Sequence, residues 1–467
     1  MYKVLLYYPR ISGSEDTSDL YIGAPLSVMA IAAQIDRAEF DVKIVDGRFY
    51  EETKVEIDEW ISDDILITGI SAITSYQITD GIQLAKRLKK RYPNMHVVWG
   101  GWHPSLMPDT TVVNDMVDII IIGQGERIFP ELIKCLQNNR DISQIPNLVY
   151  KDKDKNIQKT IRKPIEPITS FKSIINSYSL LDMNQYVNKV WNNERVIGYE
   201  SSRGCPWNCL YCSIGSLYCH HWSGLPAEQV TVDVKYLYEH YNVDAIHFFD
   251  NNFFIDTKRV RRFCELLQAE NFSIRWDGTC NVLQFLEFSD EFMNLMISSG
   301  FYRVIIGIES GDEEVLEKID KKHKNKHVIA VIEKCKKYNI MPSLSFMVGF
   351  PWNSEKDFNC TVSLIEQIIK IYDRSEILLF IFTPYCGTKM YEVAKKYGMK
   401  FPQELEEWSH YTYDKCNTPW ISKKLRRKMM RYITFFGTKD IDENLKNFYE
   451  GKKNDALETT RGKQYKL

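Results

Sequence analysis

Apolar runs alternating with helical patterns predict an α/β chain: a doubly wound parallel sheet, then a partial (β/α)6 barrel and a small, mostly helical C-terminal region. Three observations carry that expectation. The alternation occurs twice, a charged and proline-bearing stretch separates the two series, and 467 residues exceed what one hydrophobic core serves.

In the first series Val4 to Tyr8, Val42 to Val45, Ile65 to Ile70, Val97 to Trp99 and Ile119 to Ile122 read as buried strands. Helical patterns lie near Pro25 to Asp36, Tyr76 to Tyr92 and Arg127 to Gln137, so a domain is expected over residues 1–150. Such a sheet binds ligands outside the carboxyl ends of its strands. Residues 151–170 open with Lys151-Asp152-Lys153-Asp154-Lys155-Asn156 and hold Pro164 and Pro167, the composition of a linker or a polar hairpin; a linker is expected over 151–195. The second series places strands at Val196 to Tyr199, Ala245 to Phe249, Ile274 to Trp276, Val304 to Gly307, Ser343 to Val348 and Leu378 to Ile381, a barrel-like domain over 196–390. Beyond it, over 391–467, the chain becomes helical, aromatic and locally basic. Its run Lys423-Lys424-Leu425-Arg426-Arg427-Lys428 reads as a solvated helix face rather than a phosphate-binding patch.

Hydrophobic residues at 44% and charged residues at 26% describe an ordinary globular chain. The formal net charge of -2 argues against a broad nucleic-acid surface or attraction to anionic membranes, leaving a small molecule as the expected partner. No apolar run reaches the ~20 residues that span a bilayer, and Met1 to Arg10 lacks a signal-peptide pattern, so a cytoplasmic location is expected. There the eleven cysteines stay reduced. Cys135, Cys219, Cys264, Cys280, Cys335, Cys360, Cys386 and Cys416 are scattered singly and read mostly as small buried hydrophobes.

The other three stand together in Arg203-Gly204-Cys205-Pro206-Trp207-Asn208-Cys209-Leu210-Tyr211-Cys212, with three and then two residues between thiols, in a loop after a predicted strand. Three thiolates can bind three irons of a cubane and leave the fourth iron open. A structural zinc is the alternative; it wants four ligands, and His220 or His221 could supply the fourth.

The spacing, with Tyr211 before the last cysteine, resembles the signature loop of the radical S-adenosylmethionine (SAM) superfamily. That resemblance implies a [4Fe-4S] cluster on Cys205, Cys209 and Cys212, SAM chelated at the open iron, and reductive cleavage to a 5'-deoxyadenosyl radical, with an external one-electron reductant of flavodoxin or ferredoxin type. Further segments resemble the family's SAM-binding strands in the expected order. His247 to Phe253 ends a strand with Asp250, a candidate for the methionine ammonium. Gly307-Ile308-Glu309-Ser310-Gly311, followed by Lys321, resembles the stretch that meets ribose and methionine, with Glu309, Ser310 and Lys321 as candidates. Phe346 to Pro351, with Gly349, resembles the stretch near adenine, and Thr383 to Thr388 a closing turn with Cys386 where proline is usual.

The first domain resembles the cobalamin-binding module that precedes the barrel in a large subgroup of that family. Gly69 to Thr74, Gly100 to Ser105 and Gly123 to Glu126 form three loops at strand ends, where glycine lets backbone approach a large planar ligand. The candidate cobalamin contacts are Ser71, Thr74, Tyr76, Gly100, Gly101, His103, Gly123, Gly125 and Glu126, with Tyr76 set to cover the lower face of the corrin. The Asp-x-His-x-x-Gly pattern for cobalt ligation is missing, so His103 is not expected to bind cobalt. A retained domain that no longer binds cobalamin is the alternative.

Together these resemblances imply a cobalamin-dependent methyltransferase that acts on an unactivated carbon of a small metabolite or natural product. The competing outcome is a radical SAM enzyme without methyl transfer, performing sugar diol dehydration, epimerisation, cyclisation or ring contraction. A non-catalytic protein with a zinc-stapled loop is the third reading. A methylthiotransferase would want a second cysteine cluster in the first domain, where Cys135 stands alone. Trp408, Tyr411, Tyr413 and Trp420 are candidate pocket aromatics, although such residues more often fill cores.

Overall fold

The computed structural model describes residues 1–11, 22–190 and 194–437, with side chains left out at 50–53 and 437; the expected helical segment from 438 onward lies outside them. The described residues group into two compact units. One comprises Met1–Trp207, Ser213–Ala245 and Phe401–Thr412; the other Asn208–Cys212, Ile246–Lys400 and the described residues from Tyr413.

The first unit is built on strands β1 (Tyr2–Tyr8), β2 (Phe40–Asp46), β3 (Ile65–Ser71), β4 (His96–Gly100), β5 (Ile119–Ile121), β6 (Leu148–Lys151) and β7 (Ile157–Lys159). Their order is β2-β1-β3-β4-β5-β6-β7, parallel from β2 through β5. The order reverses between β1 and β3, which opens a crevice at the carboxyl ends of the strands. Val4, Leu5 and Leu6 are all but inaccessible, because a strand covered on both faces needs an unbroken apolar run. The charged stretch begins as the polar hairpin: β6 and β7 add antiparallel strands to the sheet edge, with Leu148 and Val149 buried. Helix Tyr50–Trp60 was not expected; among its described side chains only Ile57 is fully buried.

Also in this unit, β8 (Asn188–Val190) pairs antiparallel with β9 (Glu194–Tyr199), the expected strand at Val196. A small hairpin of β10 (Ser202–Gly204) and β11 (Trp222–Gly224) holds the base of the cysteine loop. Trp408 and Tyr411 are core residues here, Trp408 packing on His103 at 5.4 Å between ring centroids.

The second unit carries β12 (Ala245–Phe248), β13 (Arg275–Cys280), β14 (Phe301–Glu309), β15 (Met341–Val348) and β16 (Glu376–Ile381), side by side in chain order and curled into half a barrel. Alternation along each strand separates two faces. Phe248, Trp276, Val304 and Leu344 are fully buried, with Phe248 against Phe263 of helix Thr257–Ala269. His247, Thr279, Ile305, Ser345 and Leu378 lie on the other, half-open face. The helices start at side-chain caps: Asp256, Ser289, Asp312, Asn353 and Thr388 each accept a backbone N–H of the first turn. No helix among the described residues is long and apolar enough to cross a membrane.

Candidate functional site

At the carboxyl ends of β3, β4 and β5 the first unit holds a cavity of about 190 Å³. Glycines shape its wall. Gly101 has φ 91°, and a Cβ there would fall 2.8 Å from the Ala72 carbonyl, so only glycine lets the loops after β3 and β4 meet. At Gly100 a Cβ would meet nothing nearer than 3.8 Å, and at Gly123 nothing nearer than 3.7 Å. Side chains there would stand in the cavity; their absence leaves a bare backbone surface of the kind a broad planar ligand requires. Ser71 accepts or donates to Ser27 at 2.9 Å, and Ser105 accepts from the Gly123 N–H at 2.9 Å, fixing the loops.

The loop of Gly123 to Glu126 is strapped from one side by residue 166. Gln124 exchanges two hydrogen bonds with the Glu166 backbone, and Arg127 makes a bidentate pair with its carboxylate at 2.7 and 2.6 Å. On the other side the buried Glu126 carboxylate takes the Arg203 guanidinium, whose Nε donates to Glu200 at 2.7 Å. Burial opposes the charge of Arg203, but Glu200 and Glu126 outweigh it and hold the guanidinium ionised. Glu126, Glu200, Arg203 and Tyr218 all face the cavity.

Of the nine sequence candidates for this site, Ser71, Gly100, Gly101, Gly123, Gly125 and Glu126 line the cavity. Thr74, His103 and Tyr76 do not. His103 is fully buried, with Nδ1 on the Thr74 hydroxyl at 2.9 Å, and burial pulls its pKa down to about 4. Tyr76 caps helix Gln77–Arg91 and stacks under the Arg10 guanidinium at 5.6 Å. Sequence reading missed Trp102, Glu200 and Arg203 on the wall; the Arg203 charge beside the cysteine motif was the available signal.

The cysteine loop leaves β10 at Gly204. Its φ is 84°, and a Cβ would lie 1.9 Å from the His221 carbonyl. Cys205, Cys209 and Cys212 are half-buried and in no disulfide. In the second unit the loop is pinned by Leu210, whose N–H donates to the Ile319 carbonyl at 3.2 Å and whose carbonyl accepts from Met390 at 3.1 Å. Among the described residues no three His, Cys, Asp or Glu side chains converge on a point that one metal ion could occupy. A cubane asks something different, one thiolate for each of three irons, and three reduced thiols in a single loop are that donor set. His220 turns Nδ1 to the Trp207 carbonyl at 3.2 Å.

Next to Tyr211, the second unit assembles a compact charged group. The Tyr211 hydroxyl donates to Glu309 at 2.7 Å, and Lys321 reaches the same carboxylate oxygen at 3.0 Å and the Gly307 carbonyl at 3.2 Å. Glu309 has φ 75°, in the left-handed region that residues other than Gly, Asn and Asp seldom adopt. Burial raises the Tyr211 pKa, with Glu309 adding to it; burial disfavours the charge on Lys321, but Glu309 reverses that. An anion and a cation side by side match the two charges of an amino-acid moiety.

Ser310 and Gly349 turn the other way. Both serve the fully buried Asp357, which accepts the Ser310 hydroxyl at 2.6 Å and the Gly349 N–H at 2.7 Å. Trp420 donates to the Gly349 carbonyl at 2.8 Å, and Tyr413 sits half-exposed against Phe380. Asp250 is buried, with Arg259 at 3.6 Å. The basic run lies on helix Lys423–Gly437, where Lys423, Lys424, Arg427 and Lys428 are exposed, as a solvated face requires.

Comparison with known proteins agrees with this architecture. The family described as "Radical SAM superfamily" matches residues 199–365, and the one described as "B12 binding domain" matches 17–133. The chain is 28% identical over 93% of its length to an uncharacterized methyltransferase of Pyrococcus horikoshii, covering 92% of that protein. It is 23% identical over 91% of its length to an anaerobic magnesium-protoporphyrin IX monomethyl ester cyclase of Synechocystis, covering 89% of it. Among solved structures it shares the fold of the radical SAM methyltransferase TsrM of Kitasatospora setae, with TM-score 0.67 at 16% identity, over 85% of this chain and 75% of that one. It likewise shares the fold of the cobalamin-dependent radical enzyme OxsB, with TM-score 0.74 at 14% identity, over 98% and 72%. The chain therefore belongs to the radical SAM superfamily, among the enzymes that join the radical barrel to a B12-binding domain and take SAM, a [4Fe-4S] cluster and cobalamin as cofactors.

Proposed function

We propose that this enzyme is a cobalamin-dependent methyltransferase acting on an unactivated carbon of a small metabolite or natural product. The observation that carries the proposal is the bare glycine wall at Gly100 and Gly123, part of one cavity with Arg203, two residues before Cys205. When bound, the cluster with SAM supplies one-electron cleavage of a sulfonium, and cobalamin supplies a transferable methyl group. Cys205, Cys209 and Cys212 would hold the cluster. Glu309, Lys321, Tyr211 and Asp250 would receive SAM, while Ser310 and Gly349 shape its bed through Asp357. The glycine loops would receive the corrin, with residues 1–150 as its domain, 151–195 as linker, 196–390 as the radical barrel and 391–467 as a helical closure.

An external flavodoxin- or ferredoxin-type reductant would deliver the electron, in the cytoplasm, where the thiols stay reduced. The test is product analysis of anaerobically reconstituted enzyme with SAM, cobalamin and candidate substrates. Methyl transfer predicts 5'-deoxyadenosine and S-adenosylhomocysteine in step, with a 14-unit mass gain on the substrate. 5'-Deoxyadenosine without S-adenosylhomocysteine would instead support radical chemistry without methylation, a reading favoured by the cyclase among the relatives.

A further inference from the structure

We propose that the Glu126–Arg203 ion pair couples occupancy of the cobalamin cavity to the cysteine loop, so that each cofactor raises the protein's affinity for the other. This rests on the proposed function above, in which the cavity binds cobalamin and the loop binds the cluster.

The pair joins two pieces of chain that are distant in sequence and adjacent in role. Glu126 closes the loop of Gly123 and Gly125 that forms one wall of the cavity. Arg203 lies on the short strand that runs into Cys205 with only Gly204 between them. Neither end can drift independently. The Glu126 loop is clamped at its far side by residue 166, through Gln124 and Arg127. The strand through Arg203 is held by its antiparallel pairing with β11, Arg203 opposite Ser223.

The guanidinium is nearly out of solvent, with 12% of its side chain exposed, and its two carboxylate partners are 6% and 20% exposed. At such burial the ion pair is held by its geometry, and removing the guanidinium would leave two carboxylates without compensation. A ligand that seats the Gly123 to Glu126 loop therefore also fixes Arg203, and through it the first cluster ligand. By linkage the effect must run equally in the other direction. Arg203 is then a positioning residue, acting on both cofactors through backbone it holds.

The measurement is the dissociation constant of hydroxocobalamin, followed by its absorbance, on cluster-free protein and on protein reconstituted with iron and sulfide. Coupling of the usual size makes binding about 5-fold or more tighter once the cluster is present. In Glu126→Gln that ratio should fall to about one, whatever happens to each constant alone. Glu200→Gln, which removes the second partner and leaves the first, should retain the ratio. A ratio near one in the unaltered protein overturns the coupling while leaving the proposed function in place, since both cofactors would still bind. A ratio that persists in Glu126→Gln overturns the role of the pair. Failure of hydroxocobalamin to bind in either state overturns both readings. If Glu126→Gln does not fold, Arg203→Gln serves instead; with no cation left for Glu126 to hold, the ratio should fall to about one, and an unchanged ratio overturns the proposal.

Discussion

Asp357 shows what one carboxylate does when the chain wraps it completely. Its oxygens take the Ser310 hydroxyl and the N–H groups of Gly349 and Phe350, and it is fully buried. Burial outweighs those bonds and pushes its pKa up to about 6, against about 3.8 when exposed. The folded state therefore holds a proton between about pH 4 and 6 that the unfolded chain has released. Its contribution to stability is complete below about pH 4 and disappears as pH rises through 6. Relative to Asp357→Asn, the unaltered protein should lose up to about 3 kcal/mol between pH 4 and pH 7. Denaturant titrations of both proteins at each pH test this; parallel pH dependence in the two would refute it. Ser310 and Gly349 stood out in the sequence because the stretches that hold them resemble SAM-binding strand ends of the radical SAM family. Their common partner did not, since an aspartate in a helix among other charged residues looks solvated until the helix is placed.

At the scale of elements, the cysteine loop was the most legible feature and its frame the least. Thiol spacing is a local pattern, readable from adjacent residues. The β10–β11 hairpin beneath it has three residues a side, too short for any alternation to register, and its partner strand lies beyond a helix. Gly204 is the joint, and its left-handed φ of 84° forbids a Cβ that would strike the His221 carbonyl. Gly204→Ala should cost about 1–3 kcal/mol from backbone conformation alone, with the collision added, and should lower iron per chain after reconstitution. Iron content equal to that of the unaltered protein, at equal melting temperature, would show that the loop tolerates the change. The β6–β7 hairpin was legible only as one of two readings of a charged stretch, because β7 at the edge of a sheet can be polar on both faces and still pair.

For the whole molecule, both parallel sheets were visible because their strands are buried on at least one face and must be apolar. What the pattern could not show was the charged row across the second unit. His247 on β12 bonds Asp277 on β13 at 2.7 Å; Arg303 on β14 bridges Asp277 at 2.9 Å and Glu376 on β16 at 2.5 Å. Each of these polar residues has an apolar neighbour along its strand and is unremarkable until five strands stand side by side. Arg303→Met leaves Asp277, fully buried, with a lone histidine for compensation, and should destabilise the fold by about 3–5 kcal/mol. Chemical denaturation measures it, and a loss below 1 kcal/mol would mean the row is dispensable.

The first unit also borrows twelve residues from late in the chain, Phe401–Thr412, with Ser409 accepting from Thr79 at 2.6 Å and Trp408 set against His103. On the ribosome the sheet precedes the half-barrel, and the tryptophan that packs against its flank follows it. The sheet therefore cannot complete its own packing until the half-barrel that follows it in the chain has been made.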